Sequence, residues 1–303
     1  MLGSMWIRAL ALAALAIASC GGPRPTRPPP VPPRSAAEGA LALTMMNVDQ
    51  ITWPAQEPDT PATMRIAVLE GQFPFGPQAA YSALIEFDPG VAVPPHTHPT
   101  TERVAVLSGA VLFGTGPEPD RSKAKALSPG AVIVTPAGTP HWGFIPGAKA
   151  LLFIHGVGPH NDPRAVDPAA SAPAAARFDP PLAAPVIENP AEVRFAPASD
   201  GFPPGSSIAV VEGDPLRSPA EFILQVRLRA GARLARHRHA THERIVILSG
   251  RLTVSAGGVA KEMRPGGVVL MPAGLDHSLA TRGGCVLQIQ GVGRFRFDGS
   301  PAP

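Results

Sequence analysis

The chain has 303 residues, 45% of them hydrophobic, and its 26 Lys and Arg against 23 Asp and Glu leave a formal net charge of +3. So small a charge over this length does not point to a polyanionic partner, and no nucleic-acid motif accompanies the arginines, so no nucleic acid is expected as a partner. The two cysteines, Cys20 and Cys285, limit the chain to one internal disulfide at most.

At the N-terminus, Arg8 precedes an apolar stretch from Ala9 to Ile17, closed by Ala18, Ser19 and Cys20. This is the pattern of a signal-peptide core ending in small residues. At about a dozen residues it is too short to span a bilayer, which needs about 20. Ile17-Ala18-Ser19-Cys20 moreover resembles a bacterial lipobox, which implies cleavage before Cys20 and lipidation of that residue. Residues 1–20 are therefore expected to be a lipoprotein signal peptide, with the mature protein exported and held on a membrane by its N-terminal lipid. The alternative is an ordinary secretory signal with an incidental Cys20. Residues 21–44 are read as a linker, and the Pro- and Arg-rich tract Gly21 to Pro33 suits a semi-extended spacer reaching roughly 40 Å. Acylation of Cys20 leaves Cys285 as the single thiol, next to an apolar strand and expected as a small buried residue.

From residue 45 to 160 the chain runs through short apolar segments such as Tyr81 to Phe87, Val104 to Leu107, Val132 to Val134 and Leu151 to Ile154, each bounded by Gly or Pro. Frequent turn signals without a helical period predict an antiparallel, all-β barrel or jelly roll. Within it lie Gly90, His96, Thr97, His98, Glu102 and Gly109, then Gly130, Pro136, Ala137, Gly138 and His141. Side chains alternate along a strand, so His96 and His98 share a face and can hold one ion together. Glu102 has the same parity after a short turn, and His141 follows the Pro136-Ala137-Gly138 turn as a fourth donor. Three imidazoles and a carboxylate suit Mn, Fe, Co, Ni, Cu or Zn better than Ca or Mg, and leave one or two positions open.

Residues 161–186, rich in Ala, Pro and Asp, are expected to link two domains, with Phe178, Leu182 and Val186 available for packing. The span 187–298 then repeats the first pattern about 141 positions later, as Gly231, His237, Arg238, His239, Glu243 and Gly250, then Gly266, Pro272, Ala273, Gly274 and His277. The repeat extends beyond these residues. Ile66 to Gly71 answers Ile208 to Gly213, and Gly156-Val157-Gly158 answers Gly291-Val292-Gly293. Each half, at about 110 residues, is large enough to bury its own core.

These two motifs resemble those of the cupin superfamily, matched twice over roughly residues 45–160 and 187–298. The resemblance implies an all-β bicupin, two tandem barrels of the double-stranded β-helix or jelly-roll kind. Its implied metal ligands are His96, His98, Glu102 and His141 in the first barrel, and His237, His239, Glu243 and His277 in the second. One divalent transition metal per barrel is expected. Where many cupins carry Asn at the end of the second motif, this chain has Ile145 and Thr281, a position that is not a ligand. The first half also resembles small secreted bacterial cupins carrying His-Thr-His-Pro-Thr and Pro-Ala-Gly-Thr-Pro-His, here at 96–100 and 136–141.

Function is expected to be that of a metal-dependent oxidoreductase, dioxygenase-like, on a small organic substrate, with Glu102 and Glu243 as candidate catalytic carboxylates. A non-enzymatic module that binds a small ligand or metal is the alternative. The oxalate decarboxylases of the family carry a glutamate on a lid, which has no clear counterpart here, and no tyrosine stands near a ligand in the sequence. Parity turns Val104, Val106, Ile245 and Ile247 inward as apolar walls, puts Arg236 and Arg238 outward, and gives Arg233 an inward place if its strand is regular. Arg227, Arg229, Arg233, Arg236, Arg238 and Arg244 are read as a solvated face or, more sharply, a basic patch. His242 should face away from the metal, His155 has either a structural role or one orienting a ligand, and His160 carries no distinct signal. A monomer or a homodimer is compatible with two fused barrels.

Overall fold

The computed structural model describes residues 40–55, 62–72, 79–158, 160, 164–165, 184–198, 201–215, 217–218, 220–295 and 297. The expected signal peptide with Cys20, the spacer up to residue 39, and Phe178 and Leu182 of the expected linker lie outside the described residues.

Apart from a single 3-10 turn at Val48–Gln50, the regular structure among the described residues is strand. The first half contains β1 (Thr44–Met46), β2 (Met64–Glu70), β3 (Ala80–Phe87), β4 (Ala92–Thr97), β5 (Glu102–Ser108), β6 (Val111–Thr115), β7 (Lys125–Leu127), β8 (Val132–Thr135), β9 (His141–Phe144), β10 (Ala150–Val157) and β11 (Arg164–Ala165). The second contains β12 (Val186–Glu188), β13 (Ala196–Pro197), β14 (Ser207–Glu212), β15 (Glu221–Leu228), β16 (Arg233–His237), β17 (Glu243–Gly250), β18 (Leu252–Ala256), β19 (Val259–Met263), β20 (Val268–Met271), β21 (His277–Ala280) and β22 (Cys285–Val292).

Each half is a two-sheet antiparallel jelly roll. The first combines the sheet β12-β8-β5-β10-β3-β2 with β11-β4-β9-β6-β7, and the second combines β1-β20-β17-β22-β15-β14-β13 with β16-β21-β18-β19. The motif glycines end strands where the chain must turn sharply. Gly109 and Gly250 adopt φ of 75° and 77°, and a Cβ on either would collide with the backbone carbonyl of Lys149 or Gly284.

The opening strands are exchanged between the halves. β1 pairs with β20 of the second barrel, and β12 pairs with β8 of the first. Val186, at the end of the expected linker, thereby packs with Val132, Val134 and Ile223.

The larger sheets are buried on both faces, and alternation along one strand serves two cores. On β5, Val104 and Val106 turn into the first barrel with Ile85, Ile133 and Ile154, whereas Ala105 and Leu107 turn outward. There they meet Leu84, Leu151 and Phe153 of the first barrel and Val246, Val268 and Leu270 of the second. Ile245 and Ile247 line the second barrel's own core, where Cys285 also lies buried and burial pushes its thiol up to about 11. Arg103 and Arg244 follow the same outward parity into the interface, both almost fully buried. Arg244 is therefore not part of an exposed basic patch. Arg236 and Arg238 do point outward, where both approach Asp276 at 2.8 and 3.7 Å.

One expectation fails for a local reason. The pairing of β16 with β21 slips by one residue between Leu234 and His237, a β-bulge that reverses parity upstream. Leu234 is consequently buried and Arg233 exposed, so Arg233 does not face the barrel interior. The same slip occurs in the first barrel between Val93 and His96.

Candidate metal centres

The bulge sets the register that delivers the histidines. His96 pairs directly with His141 across β4 and β9, and His237 with His277 across β16 and β21. The next turn is fastened to the same edge, since the N–H of Gly138 donates to the His98 carbonyl and that of Gly274 to the His239 carbonyl, each at 2.8 Å. His242 supports this turn in the second half by accepting the Ala273 N–H at 2.8 Å, and it stands outside the histidine cluster. Glu102 and Glu243 enter from the first positions of β5 and β17.

The structure thus brings together the residues that sequence reading singled out. His96, His98 and His141 form one buried group able to hold a metal ion, and His237, His239 and His277 form another. Glu102 lies 3.2 Å from His141 Nε2 and 3.6 Å from His98 Nε2, and Glu243 lies 3.3 Å from His277 Nε2 and 3.9 Å from His239 Nε2.

Ring orientation is fixed from the other side. Nδ1 lies 2.8 Å from the Pro94 carbonyl in His96, 2.9 Å from that of His160 in His98 and 2.9 Å from that of Thr139 in His141. His237 and His277 make the same contact to Ala235 and Leu275, at 2.7 and 2.9 Å. A carbonyl only accepts, so each Nδ1 carries the proton and, in the neutral ring, Nε2 presents a lone pair to the site. Accordingly Nε2 of His98 is buried without a hydrogen-bond partner among the described residues, and in the second group Nε2 of His277 has only Glu243 Oε2 beside it. Buried lone pairs of this kind are costly unless something fills them, and a cation does.

Electrostatics divide the imidazoles into two kinds. Burial pushes His96 and His237 down to about 4 and also lowers His98, so these imidazoles are neutral at pH 7. His141 and His277 are lowered by burial too, but the neighbouring Glu102 and Glu243 carboxylates more than offset this and hold them above the ordinary value. Burial would raise the Glu102 carboxyl, yet His98, His141 and His160 keep it well below the usual carboxylate range. Glu243 is lowered in the same way, chiefly by His277.

Two features were not anticipated from sequence, and a third decides between two readings. His160 stacks on His98 with ring centroids 4.0 Å apart and places Nε2 3.9 Å from Glu102 Oε1, so His98, Glu102 and His160 form a further group able to hold an ion. Tyr81, the single tyrosine of the chain, stands beside the site after all, with its hydroxyl 2.9 Å from His160 Nδ1. His155 is not there: its Nδ1–H donates to the Tyr81 carbonyl at 2.8 Å, and Glu70, Arg103 and Arg244 of the barrel interface influence its charge. Of the two roles expected for His155, the structure supports the structural one.

The two centres differ in their surroundings. Thr135 Oγ1 donates to Glu102 Oε2 at 3.2 Å, while the residue paired with Glu243 is Met271. Phe295 stacks on His239 at 4.2 Å, and Phe297 lies edge-on to His237 at 5.0 Å. With Phe202, Val226, Leu287 and Ile289 they close an apolar cover over His237 and Glu243 that leaves no room for a water molecule.

A family model described as the cupin domain matches residues 83–156 and again 224–288. A germin-like protein of Arabidopsis thaliana, subfamily 1 member 7, is 37% identical over 81 residues, covering 25% of this chain and 35% of that relative's length. Among solved structures, protein Ylba from E. coli is similar with a TM-score of 0.57 at 12% identity, covering 84% of this chain and 92% of that one. A cupin 2 conserved barrel domain protein from Leptotrichia buccalis gives 0.53 at 11% identity, covering 82% and 96%. Oxalate decarboxylase of Lactobacillus farciminis gives 0.51 at 11% identity, covering 88% and 90%. At these identities the structural likeness is one of fold.

Proposed function

The chain carries two cupin domains in tandem and is a bicupin, and from that premise we propose that it is a metal-dependent oxidoreductase of the cell envelope, dioxygenase-like, acting on a small organic substrate. His96, His98, Glu102 and His141 would hold one divalent transition metal, and His237, His239, Glu243 and His277 a second. The observation that carries this reading is the set of imidazoles pinned through Nδ1 to backbone carbonyls, with Nε2 lone pairs converging on a buried carboxylate.

A bound ion would supply Lewis acidity and open positions for small molecules. The remaining work falls to the chain. Val104, Val106 and Ile154 make the core of the first barrel hydrocarbon, a setting that would suit an organic substrate. Glu102 is anionic and held on Oε2 by Thr135, so its other oxygen is the group placed to accept a proton from a bound substrate.

Elemental mass spectrometry on protein purified without chelator tests the first half of the proposal, with about two equivalents of Mn, Fe, Ni, Cu or Zn per chain expected. Oxygen uptake with diols, phenols and short dicarboxylates, abolished in Glu102→Ala, tests the second. An ion-free chain that takes up no metal on titration would end the reading. The aromatic cover of the second barrel, which leaves no room for a ligand over His237 and Glu243, favours a second role there, as a metal-binding or sensing module without turnover, and metal uptake without oxygen consumption at that site would support it. Lipid attachment at Cys20 would place both barrels on the periplasmic or outer face of a membrane, and Cys20→Ser should then release the protein from the membrane fraction.

A further inference from the structure

We propose that the end of the second barrel remote from its histidines is a docking surface for anionic lipid headgroups, carried by Arg227, Arg229, Arg233 and Arg282.

The fold redistributes the arginines that crowd this half of the sequence. Arg244 is buried in the interface, and Arg236 and Arg238 answer Asp276. Arg227 and Arg229 instead lie exposed where β15 ends, Arg233 lies exposed where β16 begins, and the exposed Arg282 joins them from the turn between β21 and β22. The two turns are fastened together, since the N–H of Gly231 donates to the Arg282 carbonyl and that of Thr281 to the Ala232 carbonyl, at 3.1 and 3.0 Å. Leu228 and Gly250 both pair with Cys285 here, whereas Glu243 pairs with Gly291 at the other end of the same sheet. The charges are thus a strand's length from the candidate metal ligands.

None of the four arginines makes an ion pair among the described residues. The Arg227 guanidinium lies on the Phe195 ring at 4.0 Å, and Arg229 runs along Gly205, where a Cβ would stand 2.9 Å from its Cδ. A flat ring face and a missing Cβ support these two cations without neutralising them.

The first barrel shows the same place with its charge balanced. The seventh residue of β3 and the residue after that strand are Glu86 and Asp88, where β15 has Arg227 and Arg229. Lys149 contacts both acids, at 3.0 and 2.8 Å, and Arg65 grips Glu86. Across from Arg227 the second barrel has Ser207 in place of Arg65, and before β22 it has Gly284 in place of Lys149. Ala92 and Pro146 stand where Arg233 and Arg282 do. A neutral cluster in one half is therefore a purely cationic one in the other. Four guanidiniums spread over a strand end and two turns suit a surface of many phosphates, whereas one bound phosphate would need them converged on a point. Anionic phospholipid supplies such a surface, and each arginine brought to it contributes roughly fivefold in partitioning. Docking by this end keeps the histidines of the second barrel turned away from the bilayer.

The test is flotation of the full chain with vesicles of equal parts phosphatidylglycerol and phosphatidylcholine, and with phosphatidylcholine alone, which measures what the N-terminal apolar stretch contributes by itself. The parent should prefer the anionic vesicles, and the preference should fade in high salt. Arg227→Glu with Arg229→Glu should reduce it roughly twentyfold or more. Lys123→Glu with Arg217→Glu, an equal change in net charge at exposed residues elsewhere, should leave it within about twofold. If a thermal melt shows that the double reversal does not fold, Arg227→Gln with Arg229→Gln asks the same question. A parent that binds both vesicles alike, an equal loss in the Lys123 and Arg217 variant, or capture by soluble polyglutamate as strong as by the vesicles overturns the inference. Metal binding lies outside all of these outcomes, so failure here leaves the metal-site reading untouched.

Discussion

Arg103 of the first barrel grips Glu212 of the second, with Nε and Nη2 each 2.6 Å from a carboxylate oxygen, and its Nη1 reaches Glu221 at 2.9 Å. The arrangement is reciprocated by Arg244 and Glu70, whose oxygens lie 2.7 and 2.5 Å from Nε and Nη2. Each arginine directly follows a site carboxylate, Glu102 or Glu243, on its strand. The ion pairs that join the barrels therefore also anchor the strands that deliver the carboxylates.

Arg103→Met should consequently destabilise the chain by about 3–5 kcal/mol, since it leaves two buried carboxylates without their guanidinium. Replacing Arg103, Glu212 and Glu221 together by apolar residues of similar volume should restore most of the loss. Urea denaturation of the two variants checks this, and equal loss in both would mean that packing, not charge, holds the interface.

Acid should loosen the same interface. Burial would raise the Glu70 carboxyl, but the Arg244 guanidinium bonded to it holds it at about 2. Its folded value lies below the ordinary 4.5, so its stabilisation is complete above that pH and is lost as pH falls towards 2. Burial, reinforced by Arg244, pushes His155 down to about 3 from 6.5. The native state then refuses a proton that the unfolded chain accepts, which costs stability progressively below pH 6.5. Each group should contribute on the order of 3 kcal/mol between pH 7 and pH 3. Denaturation curves across that range should fall with decreasing pH, and Glu70→Gln should be less stable at pH 7 with a shallower slope below 4.5.

Gly156 makes room for Tyr81. A Cβ there would stand 2.5 Å from the Tyr81 hydroxyl oxygen, and at Gly291 it would stand 2.9 Å from the Phe222 ring. Gly156→Ala should cost about 1–3 kcal/mol by overpacking. Because it displaces the hydroxyl that holds His160, it should also lower metal affinity in the first barrel while sparing the second. Gly291→Ala should do the reverse. Thermal melts and per-site metal titration separate the two, and an equal effect on both sites would refute the packing argument.

The fold and the gathering of the eight candidate residues into two groups were legible because their signals are local and repeated. Period-2 alternation between turn residues announces strands, and the two His-X-His segments with their carboxylates recur at one spacing. His160 was not legible, since it lies between β10 and β11 and meets His98 through a backbone carbonyl that no pattern encodes. Only setting the halves side by side, with His160 opposite Phe295 and the lone Tyr81 opposite Phe222, would have raised it. Arg244 reads as a surface charge until both faces of its strand are seen to be covered. Arg233 was misplaced because a single extra residue in β16 inverts the parity on which the inference stood.

Phe297 is seated over the second centre by its neighbours. Phe202 meets it edge-on at 5.0 Å, and Gly201, at φ 85°, lies so close that a Cβ there would enter the ring. The space beneath leaves no cavity that would admit even a water molecule. Access to His237 and Glu243 thus requires the aromatic cover to move or to be cut away. In a chain with His96→Ala and His98→Ala, loaded with manganese(II) at the second site alone, Phe297→Ala should raise the water-proton relaxivity, because bulk water gains a route to the ion. An unchanged relaxivity would show that Phe297 does not control entry, and would remove the reason for assigning the second barrel a role different from the first.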